Sequence, residues 1–191
     1  MKIGLYFGSF NPIHHGHLLI ASYILQHTKL KQIWFVVSPQ NPLKPAVSLL
    51  NEYHRSYLVQ LAIEGESNFK VSDIEFKLPK PSYTVDTLTY LQEKYPANEF
   101  AVIMGSDSFQ NLPKWKNYNW LLQHYPIYIY KRPEHETIPA YPKAKGVHVL
   151  NAPLLPISST AIRKDIKAGR SIRYLVPEAV RIEIERNGYY S

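Results

Sequence analysis

Gly8-Ser9-Phe10-Asn11-Pro12-Ile13-His14-His15-Gly16-His17 is the stretch from which the fold of this chain can be read. The apolar run Ile3-Gly4-Leu5-Tyr6-Phe7 precedes it, and an apolar-periodic stretch from Leu18 to Leu25 follows it. That order predicts a buried strand, a tight loop and a helix. Gly8 permits a sharp turn and the close approach of a ligand, and Gly16 does the same where the helix begins. The unpaired N–H groups at a helix start carry partial positive charge and favour an anion, typically phosphate. His14 and His17 lie three residues apart and share one face of a first helical turn. Their imidazoles can hydrogen-bond a phosphoryl group or, as cations, neutralise its charge. The loop contains neither Gly-x-Gly-x-x-Gly nor a following Gly-Lys-Ser/Thr. It is therefore neither a dinucleotide fingerprint nor a P-loop.

Beyond this loop, strands and helices alternate. Gln32 to Val37 reads as a strand, followed by the proline-stiffened loop Ser38 to Pro45. Asn51 caps a helix through Glu64, with Tyr57, Leu58, Leu61 and Ala62 on its apolar face. Phe69 to Phe76 reads as a partly alternating strand. Ser82 or Thr84 starts a helix that ends before Pro96, with Leu88 and Leu91 inward. Phe100 to Met104 is the most evident buried strand, closed by Gly105-Ser106-Asp107. Phe109 to Tyr125 is aromatic and loop-rich, and strands follow at Ile127–Tyr130 and Val147–Leu150. Ser158 or Ser159 caps a helix stopped by Gly169; Pro177 opens another that ends at Asn187-Gly188. The alternation predicts an α/β fold, a Rossmann-like parallel sheet flanked by helices, with a helical C-terminal part over about 157–191. Such folds bind ligands outside the carboxyl ends of their strands.

Composition bounds the function. At 191 residues and 45% apolar content, the chain suits one domain, spanning 1–191, with a real core. Its charge of +7 is compatible with nucleic acid, anionic membranes or small anionic substrates. The basic residues are dispersed rather than blocked, so small anions are the main expectation, with no nucleic acid and no membrane partner. Zero cysteines remove disulfides, thiolate metal sites and cysteine nucleophiles. No apolar run approaches the roughly 18 residues of a membrane span, and the N-terminus runs directly into a strand. The expected location is cytoplasmic.

A second block, Ile157-Ser158-Ser159-Thr160-Ala161-Ile162-Arg163, opens a helix with hydroxyls and N–H groups, and Arg163 sits one turn further in. Alone it reads as an ordinary capping box with a surface arginine. Beside the first loop it reads as a second phosphate site, with Arg163 adding a bidentate fork.

His14-His15-Gly16-His17 resembles the His-x-Gly-His phosphate motif of the nucleotidyltransferase superfamily, and the block 157–163 resembles that superfamily's second signature. Pro81-Ser82-Tyr83-Thr84-Val85-Asp86-Thr87-Leu88 and Leu112-Pro113-Lys114-Trp115 resemble the nicotinate-nucleotide adenylyltransferase family, as does Ser171 to Pro177. The resemblance covers nearly the whole chain. It implies transfer of AMP from ATP to nicotinate mononucleotide, giving deamido-NAD and pyrophosphate. It implies catalytic roles for His14, His17, Lys44 and Arg163, and ATP contacts from Gly8, Ser9, Phe10, Gly16, Asp107, Ile157, Ser158, Ser159, Thr160 and Arg163. It implies nicotinate mononucleotide contacts from Asn11, Lys44, Ser82, Tyr83, Thr84 and Trp115. Trp115 offers a π face to the pyridine, and N–H groups around Thr84 and after Trp115 suit a carboxylate. Asp107, otherwise a helix N-cap, contacts the nucleotide sugar or adenylate in this reading.

Magnesium is expected to arrive on the ATP phosphates, since one carboxylate makes a poor cage for it. His14 and His17 have no third ligand at suitable spacing, so no metal site of the protein's own is expected. Arg55 is a weaker candidate than Lys44 for a place near the reacting phosphates, the alternative being a residue that faces solvent or forms a surface pair, and Arg132 has no assigned role. The enzyme rivals are adenylyl transfer to nicotinamide mononucleotide or to phosphopantetheine. The non-enzyme rival is a basic nucleic-acid-binding module that stacks bases on its aromatics. The oligomeric state stays open, a homo-oligomer included.

Overall fold

The structure, a computed structural model, describes residues 1–40, 49–132, 135 and 144–191. Six strands form one sheet: β1 (Lys2–Gly8), β2 (Gln32–Val37), β3 (Phe69–Ser72), β4 (Glu99–Gly105), β5 (Ile127–Tyr130) and β6 (Val147–Leu150). Every pairing is parallel, and the order is β3-β2-β1-β4-β5-β6. The helices are α1 (His15–His27), α2 (Glu52–Ala62), α3 (Thr84–Lys94), α4 (Ser106–Gln110), α5 (Tyr118–His124), α6 (Ser159–Lys167) and α7 (Glu178–Asn187).

The central strands are apolar at almost every position because both faces of the sheet are covered. Their side chains alternate between two cores. Tyr6, Ile33, Phe35, Ala101 and Ile103 face one core, with Ile20 and Ile24 of α1, Leu58 of α2, Ile162 of α6, and Val180 and Ile184 of α7. Ile3, Leu5, Trp34, Val36, Val102 and Met104 face the other, with Leu88 and Leu91 of α3, Phe109 of α4 and Leu121 of α5. The C-terminal helices thus share a core with the first helix and the first strand. None of the described helices is long and apolar enough to cross a membrane.

Three local expectations need correction. In α2, Leu58, Leu61 and Ala62 face the core as expected, but Tyr57 is 50% exposed and Arg55 and Val59 are buried instead. The helix is rolled so that Arg55 reaches carbonyls beneath it. The third strand stops at Ser72, and Ile74–Lys77 forms a 3-10 turn that carries Glu75 inward. The stretch 109–125 is largely helical: α4 gives way to a 3-10 turn at Leu112–Lys114, and Asn117 (φ 51°) bends the chain into α5. These helical pieces are too short to display a 3.6-residue stripe in sequence.

The strand order reverses between β1 and β4. At that switch point the connections leave in opposite directions and open a crevice at the carboxyl edge. Gly8 ends β1 there and Gly105 ends β4 beside it.

Candidate active site

The loop after β1 is braced from below. Phe10 adopts a left-handed backbone (φ 43°) and tucks its ring under Gly8, where an added Cβ would lie 2.8 Å from Phe10 Cζ. Gly8 therefore makes room for Phe10. Phe10 and Asn11 are each 2% exposed, and Asn11 Oδ1 accepts the Leu50 N–H at 3.2 Å. Both are expected from the sequence to meet substrates; in the structure their side chains are buried and brace the loop.

His14 precedes α1 and His17 lies in its first turn. Their rings stack, with centroids 3.7 Å apart and planes at 25°. Gly16 allows this, since a Cβ there would lie 3.0 Å from the His14 ring. The His14 N–H donates to His17 Nδ1 at 3.3 Å. That bond makes Nδ1 the acceptor and leaves the proton of the neutral ring on Nε2. Edge contacts with Phe10 (5.1 Å) and Tyr6 (6.2 Å) hold the His17 ring upright. The His14 ring faces the His17 N–H as in a capping box, but no hydrogen bond of good geometry reaches its buried Nδ1.

Burial holds the His14 imidazole down to about 4, with Arg132 and His15 adding repulsion. His14 is thus neutral near pH 7, a hydrogen-bonding group and not the cation that the sequence allowed. The unfolded chain binds this proton at its ordinary value of 6.5, so it carries more protons than the folded chain between pH 6.5 and 4. Stability therefore falls as the pH drops through that window. We expect a loss of about 2–3 kcal/mol from this group by pH 4. His14→Asn should flatten that part of the curve in urea melts taken across the window; an unchanged slope would place the buried neutral imidazole elsewhere.

The second signature block docks on the first. Ser158 caps α6 by accepting the Ala161 N–H at 3.1 Å. Ser159 Oγ donates to the Pro12 carbonyl at 2.9 Å, and Arg163 Nη1 donates to the Asn11 carbonyl at 2.7 Å. Arg163 Nη2 reaches Thr160 Oγ1 at 3.5 Å. Residues 147 and 152 positions apart in sequence are thereby locked into one anion-seeking corner. One arm of the Arg163 fork is committed to the main chain.

Across the crevice, Asp107 lies in the first turn of α4, whose N-cap is Gly105. Its Oδ1 is 3.1 Å from Arg132 Nε. Gly105 permits that approach, as a Cβ there would lie 2.4 Å from Asp107 Oδ1 and 2.9 Å from Arg132 Nε. Arg132 also donates its main-chain N–H to Ser106 Oγ at 2.9 Å and Nη2 to the Tyr130 hydroxyl at 3.2 Å. The Tyr6 hydroxyl donates to Tyr130 at 3.4 Å, and burial pushes Tyr6 well above the usual phenol range. Arg132, without a role in the sequence, thus sits at the centre of a polar cluster on the switch point.

The segments resembling a pyridine subsite also meet. Tyr83 is the N-cap of α3 and makes no side-chain cap bond. Lys116 Nζ lies 5.0 Å over its ring and pairs with Asp86 at 2.9 Å. Trp115, just before Lys116, is half-buried against the core of α3 and α5, and its main-chain N–H donates to the Leu112 carbonyl at 2.9 Å. The Ser82 hydroxyl is bound to Glu75. Lys44 lies outside the described residues. Among the described residues, no three His, Cys, Asp or Glu side chains group to hold a metal ion.

Sequence reasoning missed the buried role of Arg55. Its side chain is fully buried, and its guanidinium donates to four carbonyls: Leu50, Ser9, Ser38 and Pro39, at 2.5–3.2 Å. It ties the loops after β1 and β2 to the start of α2. No periodic signal marks a buried cation in a helix, though its position opposite two strand-end loops could have suggested one.

A parallel sheet in this order, with an anion-seeking loop and helix start at its switch point, defines a nucleotide-binding α/β protein of Rossmann type. The chain belongs to the cytidylyltransferase-like family, matched over residues 5–165, and within it to the nicotinate-nucleotide adenylyltransferases. It is 50% identical to a probable nicotinate-nucleotide adenylyltransferase of Flavobacterium johnsoniae, over 100% of this chain and 99% of the relative. It is equally 50% identical to one from Cytophaga hutchinsonii, with the same coverage. The nicotinic acid mononucleotide adenylyltransferase of Plasmodium falciparum, solved in complex with NaAD, shares the fold. Its TM-score is 0.81 at 23% identity, with 99% of this chain and 97% of that one covered.

Proposed function

We infer that the chain transfers the AMP moiety of ATP to nicotinate mononucleotide, forming deamido-NAD and releasing pyrophosphate. The observation that carries this reading is the docking of the two signature blocks through Ser159–Pro12 and Arg163–Asn11. It supports one phosphate corner built from both ends of the chain. The mononucleotide phosphate oxygen forms a bond to the α-phosphorus of ATP as the bond to the bridging oxygen of pyrophosphate breaks. The nucleophile is already anionic, so no strong general base is required. Positioning and charge stabilisation carry the rate.

In this reading His17 Nε2–H and His14 donate to phosphoryl oxygens. The main chain from Gly8 and Ser9 to Gly16 and the start of α6, from Ile157 through Thr160, cradle the triphosphate. Arg163 adds charge with its second arm, and Asp107, held by Arg132, meets the nucleoside. Lys44, on the loop after β2, completes the charge around the reacting phosphates. Tyr83, Thr84 and Trp115 frame the pyridine. Magnesium would be carried by the ATP phosphates and would offset their charge; among the described residues Asp107, the carboxylate at this corner, is engaged by Arg132, which fits an ion brought by substrate. The cysteine-free sequence and dispersed basic charge support a cytoplasmic enzyme acting on small anions.

The test is pyrophosphate release with Mg-ATP and, in turn, nicotinate mononucleotide, its amide and phosphopantetheine. A carboxylate takes charge-assisted bonds from N–H donors, whereas the amide presents its own donors there. Leaving a buried donor unpaired costs about 1–3 kcal/mol, so we expect the acid to be preferred about tenfold or more in kcat/KM. Equal use of acid and amide would refute the carboxylate subsite, and faster use of phosphopantetheine would refute the reaction. Arg163→Lys keeps the charge but cannot hold the Asn11 carbonyl and a phosphate at once. It should lower kcat/KM for ATP about tenfold; full activity in this variant would show that charge alone matters.

A further inference from the structure

Glu75 is a carboxylate only 2% exposed, carried on the 3-10 turn after β3. Its Oε2 accepts the Ser82 hydroxyl at 2.6 Å and its Oε1 accepts the Thr87 hydroxyl at 2.9 Å. The Ser38 side chain also hydrogen-bonds it. Among the described residues its partners are thus hydroxyls rather than cations. A carboxylate buried without a counter-ion is costly, and a fold that needed only packing here would do better with an apolar side chain.

What the carboxylate grips is specific. Ser82 and Thr87 bracket Tyr83 and Thr84, the turn that starts α3. Thr87 Oγ1 also reaches the Tyr83 carbonyl at 3.3 Å. From Tyr83 the contacts continue to Lys116, next to Trp115. On the other side, the Ser38 carbonyl accepts from Arg55, which also binds Ser9 in the loop after β1. Glu75 therefore stands between the phosphate corner and the segments that frame the pyridine.

We propose that Glu75 is a positioning residue: by gripping Ser82 and Thr87 it sets the start of α3, and through it the selectivity for the nicotinate carboxylate over the amide. This rests on the nicotinate reading above. Fixed in place, the first N–H groups of α3 meet a planar carboxylate squarely. With the grip loosened, the turn relaxes and acid and amide are received alike. The adenylate side, built on other strands, is left largely intact.

Glu75→Gln keeps the shape but turns an N–H donor toward a hydroxyl that was itself donating. Thr87→Val keeps the volume and removes one donor. For Glu75→Gln we expect KM for nicotinate mononucleotide to rise about ten- to a hundredfold, the amide to change far less, and the acid-to-amide ratio in kcat/KM to fall toward one. KM for ATP should stay within about threefold, and Thr87→Val should move the same quantities partway. A merely structural role would lower stability or the active fraction without moving the ratio. If the wild type prefers the acid and either folded variant keeps both that ratio and the KM within about twofold, the proposal is overturned while the nicotinate reading stands. If the wild type shows no preference, the nicotinate reading itself fails, and the proposal with it. Should Glu75→Gln not fold, Thr87→Val decides alone.

Discussion

Replacing His17 with Ala should lower kcat about a hundred- to a thousandfold, the cost of removing one preorganised donor from a developing oxyanion. KM for ATP should stay within about threefold, because such a donor acts mainly in the transition state. The structure gives the reason for so specific an effect. The His17 ring is held by four contacts from three residues: the stack on His14, the edges of Phe10 and Tyr6, and the N–H of His14 on Nδ1. The ring is therefore held in a set orientation, with the Nε2–H on the edge away from the His14 N–H. His14, held neutral by burial, does not oppose it as a second stacked cation would. Steady-state kinetics with both substrates varied settle the matter. A variant with intact kcat and a raised KM would make His17 a binding group only.

The parts of this architecture that could be read in the sequence are those whose cause is local. An apolar strand, a glycine-bearing turn and a histidine pair lie within seventeen residues, so β1, the loop and the start of α1 follow from neighbours alone. Ser158 announces the cap of α6 for the same reason, and Gly188 (φ +63°) the end of α7. What escaped has causes far away along the chain. Phe10 and Asn11 sit in a motif that suggests ligand contact, yet the cores below the sheet and Leu50 claim their side chains. Gly8 serves Phe10 for the same reason. Glu75 looks like one polar residue at the end of a strand; only the fold brings Ser82 and Thr87 to its two oxygens. Arg163 announces charge, but its commitment to Asn11 spans 152 positions.

Arg55 is the extreme of that class, and its removal should give the largest loss of stability. Its guanidinium supplies donors to four carbonyls from three segments of chain. In Arg55→Ala those acceptors stay buried, water has little room to replace the donor, and a cavity opens beneath α2. Each unsatisfied buried polar group costs about 1–3 kcal/mol, and relaxation recovers part of the sum. A net loss of about 3–5 kcal/mol is expected, the usual figure for breaking a buried charged network. At about 2–4 °C per kcal/mol for a chain of this size, Tm should fall by about 6–20 °C. Arg55→Lys keeps the charge but offers one compact donor head in place of a planar fork, so it should fall between the two. The loss should also be felt at the site. Arg55 joins Ser9 and Ser38, beside the bond from the Ser38 N–H to the Gly8 carbonyl at 2.9 Å, and the loop that Ser9 begins carries the phosphate corner. Measured well below its melting point, folded Arg55→Lys should therefore lose kcat about tenfold, since small displacements of reacting groups cost rate steeply. A Tm within about 3 °C of wild type in Arg55→Ala would mean that the four bonds are not what holds these loops. A normal kcat in Arg55→Lys with a lowered Tm would confine Arg55 to stability and free the phosphate corner from it.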